Sequence, residues 1–305
     1  WKQMDKELQD LIDPSTGKVN SEIVQHIPCP VCDLDDASPV FSKMGFDFVR
    51  CNHCETLYVN PQLQDDRIMQ YYRRMGQDKT SERSSSAMWI DVLSNRNNQA
   101  WQVPYFEEAL SMLEKHIPSQ GKILDLGCSI GLFMEVAQKK GHDCIGLELE
   151  PEAHQYALSR GLNVLQQTLE EADFSSETFD AITMFGVLEH LQNPKKILRQ
   201  IWDCLKPGGV VMAIVPNAYS LAGMTLHSNA RMFNGRNHLT YFSHRTLPLV
   251  LQKAGFTVVG IDTVLTGLDS IINYWQFNDP QGLLTLNYLP QKVQALFGDP
   301  VSRAN

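Results

Sequence analysis

Two pairs of cysteines near the N-terminus have the residue type and the spacing of a metal site. They are CPVC (29–32) and CNHC (51–54), and the segment between them alternates like a short hairpin. This spacing is typical of zinc sites in which two knuckles direct four thiolates to one tetrahedral ion. Four sulfur ligands leave no open position, so we expect a structural zinc. Its ligands would be Cys29, Cys32, Cys51 and Cys54. Two disulfides, four reduced thiols or two redox pairs are the alternatives.

The stretch LDLGCSIGLF (124–133) carries a second chemical signal with two meanings. Residues 127–131 spell G-x-S-x-G, the nucleophile elbow of serine hydrolases, with Ser129 as the nucleophile. The same residues form a glycine-spaced turn between a strand and a helix, which can hold a nucleoside cofactor. A hydrolase elbow follows several strands and an oxyanion loop, whereas this turn follows the first strand of its domain. We therefore favour the cofactor.

Two carboxylates restrict the type of cofactor. Glu148 ends the next predicted strand, where a carboxylate can hold both ribose hydroxyls. These features alone fit NAD as well as any other adenosine cofactor. Asp125 precedes the glycine turn, and its negative charge attracts a cationic ligand and repels a pyrophosphate. The pattern therefore favours a cationic cofactor over a dinucleotide.

The elements that must position these residues alternate between strands and helices from residue 121 onward. This alternation predicts an α/β fold with a doubly wound, mostly parallel sheet. The predicted strands are 122–127, 143–149, 163–167, 179–186, 210–216 and 257–264. The predicted helices are 132–141, 151–161, 194–209 and 243–256.

The predicted domain organisation has three parts. Residues 1–61 form a small zinc-ribbon-like module, which has too little core to fold without a metal. Residues 62–120 form a linker and helices that lead into the core. Residues 121–305 form the cofactor domain, in which the long connection 218–242 is expected to be a substrate lid.

Composition limits the partners and the compartment. The chain has 305 residues and a net charge of −9, which disfavours nucleic acid as a partner. No stretch approaches the ~20 apolar residues of a membrane helix, and the N-terminus WKQMDKELQD is too polar for a signal peptide. The cysteines do not form a secreted disulfide framework, so we expect a cytoplasmic protein that does not act at a membrane.

Four segments in order resemble the motifs of class I S-adenosylmethionine-dependent methyltransferases. They are ILDLGCSIG, GLELEP, FDAITMFGVLEHL and LKPGG, within about 121–264, and Ser129 replaces the middle glycine of the first motif. The resemblance implies a Rossmann-like methyltransferase domain and an S-adenosylmethionine cofactor. The cysteine module and the segment 237–256 also resemble bacterial methyltransferases of sugars, polysaccharides or secondary metabolites. This implies a small-molecule, sugar or glycan acceptor, methylated on oxygen or carbon.

The resemblance also implies cofactor roles for individual residues. Gly127, Ser129 and Gly131 would shape the loop under the methionine part. Asp125 would orient that loop or pair with the ammonium group, and Glu148 would bind the ribose hydroxyls. The remaining contacts, to the adenine and the amino-acid tail, would come from Leu149, Thr168, Leu169 and Phe185.

Three residues are candidates for the group that takes the acceptor proton. An oxygen acceptor benefits from a general base, and a carbon acceptor needs one. His190 follows the fourth strand at the carboxyl edge, where ligands bind. His238 and Tyr241 lie in the lid. We expect His238 to be the first candidate, His190 the second and Tyr241 the third, the alternative for each histidine being a structural hydrogen bond.

Three other functions stay open from the sequence. One is a methyltransferase of RNA or protein that binds its substrate through the zinc module. The acidic net charge disfavours RNA as that substrate. Another is a Rossmann-type nucleotide-sugar oxidoreductase, which Asp125 and LKPGG disfavour. The last is a scaffold without catalysis, which the presence of Glu148 disfavours.

Overall fold

The computed structural model describes residues 10–74 and 85–263, which are organised by three sheets. One sheet has five strands, one has four, and the third is a two-stranded ribbon. Within the described residues, no helix combines the length and the apolar character needed to cross a bilayer.

The N-terminal part contains five short strands. They are β1 (Val24–Gln25), β2 (Ala37–Lys43), β3 (Phe46–Cys51), β4 (Leu57–Val59) and β5 (Gln62–Leu63). The strands β2, β3 and β4 pair antiparallel, and β1 pairs with β5. The β2–β3 hairpin turns at Met44 and Gly45, which both have positive φ, as tight hairpins require. This is the hairpin that the alternation between the cysteine pairs predicted.

Three helices follow the N-terminal strands. They are α1 (Asp65–Arg74), α2 (Ser85–Ser94) and α3 (Arg96–Leu113). The helix α1 lies in the polar segment that we interpreted as a linker. Its apolar side chains Ile68, Tyr71 and Tyr72 recur at helical spacing, which is the signal that the polar composition obscured.

Strands and helices then alternate, as predicted. The strands are β6 (Lys122–Leu126), β7 (Asp143–Leu147), β8 (Val164–Leu165), β9 (Phe179–Phe185) and β10 (Leu205–Ile214). The helices among them are α4 (Leu132–Lys139), α5 (Pro151–Ser159), α6 (Leu169–Ala172) and α7 (Pro194–Cys204). A 3-10 helix, Leu188–His190, follows β9, and another precedes β1 at Ser21–Ile23.

These five strands form one parallel sheet in the order β10–β9–β6–β7–β8. This confirms the Rossmann-like fold class and five of the six predicted strands. The central strands β6 and β9 are almost continuously apolar and buried, because helices cover both faces of such a sheet. The chain winds outward from β6 through β7 to β8 and returns at β9. The carboxyl ends of β6 and β9 therefore border the switch point, where ligands bind in this architecture.

Two elements differ from the prediction. Residues 257–263 contain no strand, and position 264 lies outside the described residues. The side chains of Val259 and Ile261 are 70% and 50% exposed, so the apolar alternation there is not buried against a sheet. The predicted helix 194–209 ends at Cys204, because Pro207 lacks an amide hydrogen and Gly208 has a φ of +79°.

The predicted lid, residues 218–242, is divided between two compact units. Residues 219–231 belong to a second unit, where helix α8 (Leu221–Leu226) is capped by the Ser220 hydroxyl and a 3-10 helix follows at His227–Asn229. Residues 232–261 belong to the unit that contains the sheets. There, β11 (Thr240–Tyr241) pairs antiparallel with β4 and becomes the fourth strand of the N-terminal sheet. Helix α9 (Thr246–Lys253) follows, and the Ser243 hydroxyl accepts the amide of Thr246 at its start.

Candidate functional site

The glycine turn after β6 lies at the switch point of the parallel sheet. Gly127 and Gly131 have φ angles of +71° and +81°, in the left-handed region that favours glycine, and Ser129 has a φ of +50°. A Cβ at Gly127 would lie 2.5 Å from Cγ2 of Val187, so the turn packs closely against the segment after β9. The glycine spacing is therefore required by both conformation and packing.

Glu148 connects the end of β7 to this turn. Its carboxylate accepts the Ser129 amide at 2.8 Å and the Glu150 amide at 2.8 Å. Burial raises the pKa of Glu148, and these backbone hydrogen bonds oppose the shift. A carboxylate has about four acceptor positions, so acceptor capacity is left for hydroxyl groups of a ligand.

Asp125 lies on β6 directly before the turn and is only 2% exposed. Its carboxylate accepts the Thr183 hydroxyl at 2.7 Å. Burial raises the pKa of Asp125 to about 7, the Thr183 hydrogen bond opposes the shift, and the charge of Glu148 adds to it. Asp125 can therefore be ionised or neutral near neutral pH, and a neighbouring cation would favour the ionised form.

A small cavity opens at this edge of the sheet. Asp125, Gly127 and Ser129 line one side of it. Phe185, at the end of β9, lines another, and its ring centroid lies 5.4 Å from that of Phe106. An apolar wall with one buried carboxylate suits a ligand that has an apolar body and a positive charge.

The residues assigned to the adenine side follow β7 and β8. Leu149 is half-buried directly after Glu148. Thr168 caps α6, since its hydroxyl accepts the Glu171 amide while the Glu171 carboxylate accepts the Thr168 amide. Leu169 is 5% exposed and packs in the apolar core. Adenine contacts by these three residues stay a prediction.

A second group of polar side chains lies beyond β9. The ring centroids of His190 and His238 are 4.7 Å apart. The Leu239 amide donates to the Glu189 carbonyl at 2.8 Å and ties the two segments together. The structure thus brings together both predicted histidines and adds the 3% exposed Glu189, which sequence reasoning had not selected.

Burial sets the charge state of this group. It lowers the pKa of His190 to about 3, with a further contribution from His238, and it lowers the pKa of His238 to about 4. It raises the pKa of Glu189 to about 7. Both imidazoles are therefore neutral at neutral pH, and Nδ1 of His238 has no hydrogen-bond partner among the described residues.

Tyr241 holds the segment that carries His238. Its hydroxyl donates to the His238 carbonyl at 2.8 Å and accepts the Gly235 amide at 3.3 Å. Burial raises the pKa of Tyr241. The hydroxyl is thus engaged with the backbone, and we expect Tyr241 to position the loop.

Helix α1 contributes side chains that sequence reasoning missed. The Tyr72 hydroxyl lies 2.8 Å from Nδ1 of His190. The Arg236 guanidinium donates to the Tyr71 hydroxyl at 2.7 Å and lies 4.4 Å from the centroid of its ring. The spacing of Tyr71 and Tyr72 from Ile68, three and four residues, predicts a helix and was the available signal for this contribution.

The four cysteines of the two knuckles come together at one point. Their Sγ atoms lie within 4.8 Å of one another, and no disulfide links them. The Sγ atoms of Cys29 and Cys54 are 3.5 Å apart, and those of Cys32 and Cys51 are 3.4 Å apart. A tetrahedral zinc with Zn–S bonds of about 2.3 Å holds its sulfurs about 3.8 Å apart. The cluster therefore has the size and the donor set for zinc.

A family model matches the part of the chain that contains the switch-point site, and individual proteins match parts of the chain. The family model described as a methyltransferase domain matches residues 98–261, more than half of the chain. A ubiquinone biosynthesis O-methyltransferase of Aliivibrio fischeri is 38% identical over 97 residues, which are 30% of this chain and 42% of that protein. The same-named protein of Xanthomonas axonopodis pv. citri is 29% identical over 161 residues, which are 48% of this chain and 67% of that protein. A solved SAM-dependent methyltransferase from Archaeoglobus fulgidus aligns with a TM-score of 0.47 and 16% identity, over 66% of this chain and 94% of that one.

Proposed function

Because this chain belongs to the methyltransferase-domain family, we propose that it transfers a methyl group from S-adenosylmethionine to a hydroxyl of a small organic acceptor. The observation that carries the proposal is the glycine turn at the switch point, held between the buried carboxylates of Asp125 and Glu148. The choice of oxygen is supported by the similarity to ubiquinone biosynthesis O-methyltransferases. The chain covers 42% of the length of one of them and 67% of another. A sugar or glycan hydroxyl is the second acceptor class.

The residues at the switch point fit this cofactor. Glu148 has acceptor positions left for the two ribose hydroxyls. Asp125 offers a negative charge inside a cavity with apolar walls, where it would stabilise the ammonium group or the sulfonium. Phe185 would pack beside the amino-acid tail. When bound, the cofactor supplies a methyl group on a positively charged sulfur, which is an activated leaving group.

The chain's own contribution is positioning and proton transfer. The turn would hold the methyl donor at one side, and the acceptor would lie between it and the second group, where His238 and His190 are. His238 is proposed to act first on the acceptor proton and His190 second, because their neutral imidazoles can accept it. Holding the two reactants in line and excluding water supply the rest of the rate.

The four-cysteine cluster is proposed to hold a structural zinc. Its ligand set is complete with four sulfurs, so no position is left for a substrate. We therefore assign zinc to the folding of the N-terminal sheet, and the methyl transfer to the parallel sheet and the segment of His238.

Transfer of an isotope-labelled methyl group tests the function. Purified protein, labelled S-adenosylmethionine and a panel of phenols, catechols, sugar nucleotides and amines should give label on a hydroxyl oxygen. His238→Ala should lower turnover by ~10²–10⁴-fold with unchanged cofactor affinity, as loss of a general base does. The exposed His244, replaced by Ala, is the matched control. Label on nitrogen alone would contradict the acceptor class. If His238→Ala keeps turnover within ~3-fold of the parent and His190→Ala does not, His190 is the first candidate for the base.

A further inference from the structure

Glu189, His190 and His238 form a group with the composition of a metal site, which we call the Glu–His–His triad. One ligand atom from each residue can be chosen so that all three lie within 4.8 Å of one another. Nε2 of His190 is 3.8 Å from Oε1 of Glu189. Donors bound to one ion with bonds of about 2.1 Å are about 3.0–3.5 Å apart. Small side-chain rotations would therefore bring the triad onto one ion.

Two atoms of the triad are buried without a partner. Among the described residues, Oε2 of Glu189 and Nδ1 of His238 have no hydrogen bond. Buried polar atoms are almost always satisfied, so an unpartnered carboxylate oxygen beside an unpartnered imidazole nitrogen indicates that a ligand completes the site. A cation could satisfy both atoms at once, because each can offer it a lone pair.

The surroundings of the triad are those of metal ligands. The Tyr72 hydroxyl is bonded to Nδ1 of His190, so Nε2 is the nitrogen that faces Glu189. Ligating histidines usually have their second nitrogen held by such an outer partner. On the other side, the Tyr241 hydroxyl fixes the backbone of His238. Both histidines are thus oriented by groups that would not themselves touch the ion.

We propose that Glu189, His190 and His238 bind one divalent first-row transition-metal cation, such as Mn²⁺, Fe²⁺ or Zn²⁺. Two imidazoles and one carboxylate suit these ions, and three protein ligands leave open positions. This site is separate from the four cysteines, whose sulfur ligands form a closed set. It rests on the proposed function and specifies how His238 and His190 act on the acceptor.

The cation would activate the acceptor hydroxyl as a Lewis acid. The acceptor oxygen would occupy an open position and lose its proton to solvent water, and the resulting alkoxide or phenolate would form the bond to the methyl carbon. The carbon–sulfur bond breaks in the same step, and its electron pair stays on sulfur, which becomes a neutral thioether. In this refinement of the proposed function, His238 promotes loss of the acceptor proton as a ligand of the cation, which replaces direct proton transfer to its imidazole.

Titration with Mn²⁺ alone tests the site without an acceptor. Mn²⁺ prefers oxygen and nitrogen ligands and is the weakest competitor among these ions, so it does not displace zinc from thiolates. The full-length protein, with its cysteine site loaded, is titrated while electron paramagnetic resonance measures free Mn²⁺. We expect one saturable equivalent in the parent protein and in the control His244→Ala. Glu189→Gln and His238→Ala should each lose that equivalent, and Tyr72→Phe should weaken it by ~10–100-fold.

Calorimetric titration of the same samples with S-adenosylmethionine separates this inference from the proposed function. Variants that bind the cofactor but not Mn²⁺ are folded, and they support the cation site. A parent protein that binds the cofactor and shows no saturable Mn²⁺ up to millimolar concentration overturns it. Equal Mn²⁺ binding by Glu189→Gln, His238→Ala and the parent also overturns it. If the parent protein does not bind S-adenosylmethionine, the proposed function is contradicted, whatever the Mn²⁺ result.

Discussion

The carboxylate of Glu148 serves both the fold and the proposed ligand. Two of its acceptor positions bind the amides of Ser129 and Glu150, which fixes the glycine turn. The remaining positions are proposed for ribose hydroxyls. One side chain thus links the shape of the turn to recognition of the cofactor, and its position at the end of β7 follows from the parallel sheet.

Removal of this carboxylate should weaken the binding of S-adenosylmethionine. We expect Glu148→Ala to cost about 1–3 kcal/mol of binding, or about 5–150-fold in Kd, the scale of hydrogen bonds to a charged group. Glu148→Gln is the matched control for shape, and it should lose part of this energy. Isothermal calorimetry with S-adenosylmethionine measures both, and parent-like affinity in Glu148→Ala would refute the assignment.

The charge of Asp125 should make cofactor binding depend on pH. Its pKa is raised to about 7 by burial, so the carboxyl is mainly protonated below that pH and ionised above it. A cationic cofactor favours the ionised form. The affinity for S-adenosylmethionine should therefore rise as pH increases from about 6 to 8, and the rise should be absent in Asp125→Asn. An identical pH profile for the two proteins would show that Asp125 is not the group that responds.

Sequence patterns predicted some of these residues and not others, for physical reasons. The glycine turn and Glu148 depend on local conformation and strand order, and nearby residues in the sequence determine both. Glu189 and Tyr72 depend on contacts between distant segments. The Tyr72 hydroxyl contacts His190 because α1 lies beside the 3-10 helix that follows β9, and no local sequence pattern predicts this contact.

At the scale of elements, β11 joins the cysteine module to the acceptor side. Leu57 and Tyr58 of β4 follow the second knuckle and pair with Tyr241 and Thr240. The Val59 amide also donates to the Leu239 carbonyl at 2.9 Å, next to His238. The module therefore acts as a template for the loop of the proposed acceptor site.

Loss of zinc should therefore impair the acceptor side more than the cofactor side. Cys32→Ala removes one ligand and should loosen the N-terminal sheet, because structural zinc stabilises small modules directly. We expect methyl transfer to fall by at least ~10-fold while some cofactor binding remains, since proximity contributes strongly to the rate.

The lone cysteine Cys204 provides the control for this experiment. It is buried in α7 and is not one of the four clustered cysteines, so Cys204→Ala should keep both zinc and methyl transfer. Metal analysis of the parent should give one zinc in the four-cysteine cluster. Full turnover in a Cys32→Ala protein that has lost this zinc would contradict the template role.

Gly235 is a second point where the acceptor loop meets the module. Its φ is +69°, and a Cβ there would lie 2.5 Å from Cγ of Phe46 in the hairpin. A ring carbon in a packed sheet cannot move away cheaply. Gly235→Ala should therefore lower the melting temperature and raise KM for the acceptor, with Gly17→Ala, where no atom crowds the new Cβ, as a partial control for the conformational cost. An unchanged melting temperature would show that the contact is dispensable.

The parallel sheet was predictable from sequence because short, mostly apolar segments alternate regularly with helical segments. The pairing of β11 with β4 was not. A two-residue strand has no periodicity to detect, and the two partners are distant along the chain. The sequence also did not predict that residues 219–231 belong to a second unit, because the long connection 218–242 predicts only a loop.

At the scale of the molecule, the cysteine module is integrated with the parallel sheet. Among the described residues, 10–74, 85–218 and 232–261 belong to one compact unit. The carboxylate of Asp33, next to Cys32, forms an ion pair with Lys195 of α7, and Glu55 pairs with Arg245 at 3.4 Å. This integration disfavours a module that acts as a free grip for RNA or protein. Calorimetry should show one cooperative unfolding transition for the four-stranded N-terminal sheet and the parallel sheet together. Two well-separated transitions would show that they unfold independently.

The central claim is that the switch-point site holds S-adenosylmethionine. The most direct measurement is a calorimetric titration of the full chain with S-adenosylmethionine, its demethylated product and NAD. We predict one binding site for each of the first two ligands and no binding of NAD, because Asp125 disfavours a pyrophosphate. Binding of NAD with no binding of S-adenosylmethionine would contradict the claim and favour an oxidoreductase.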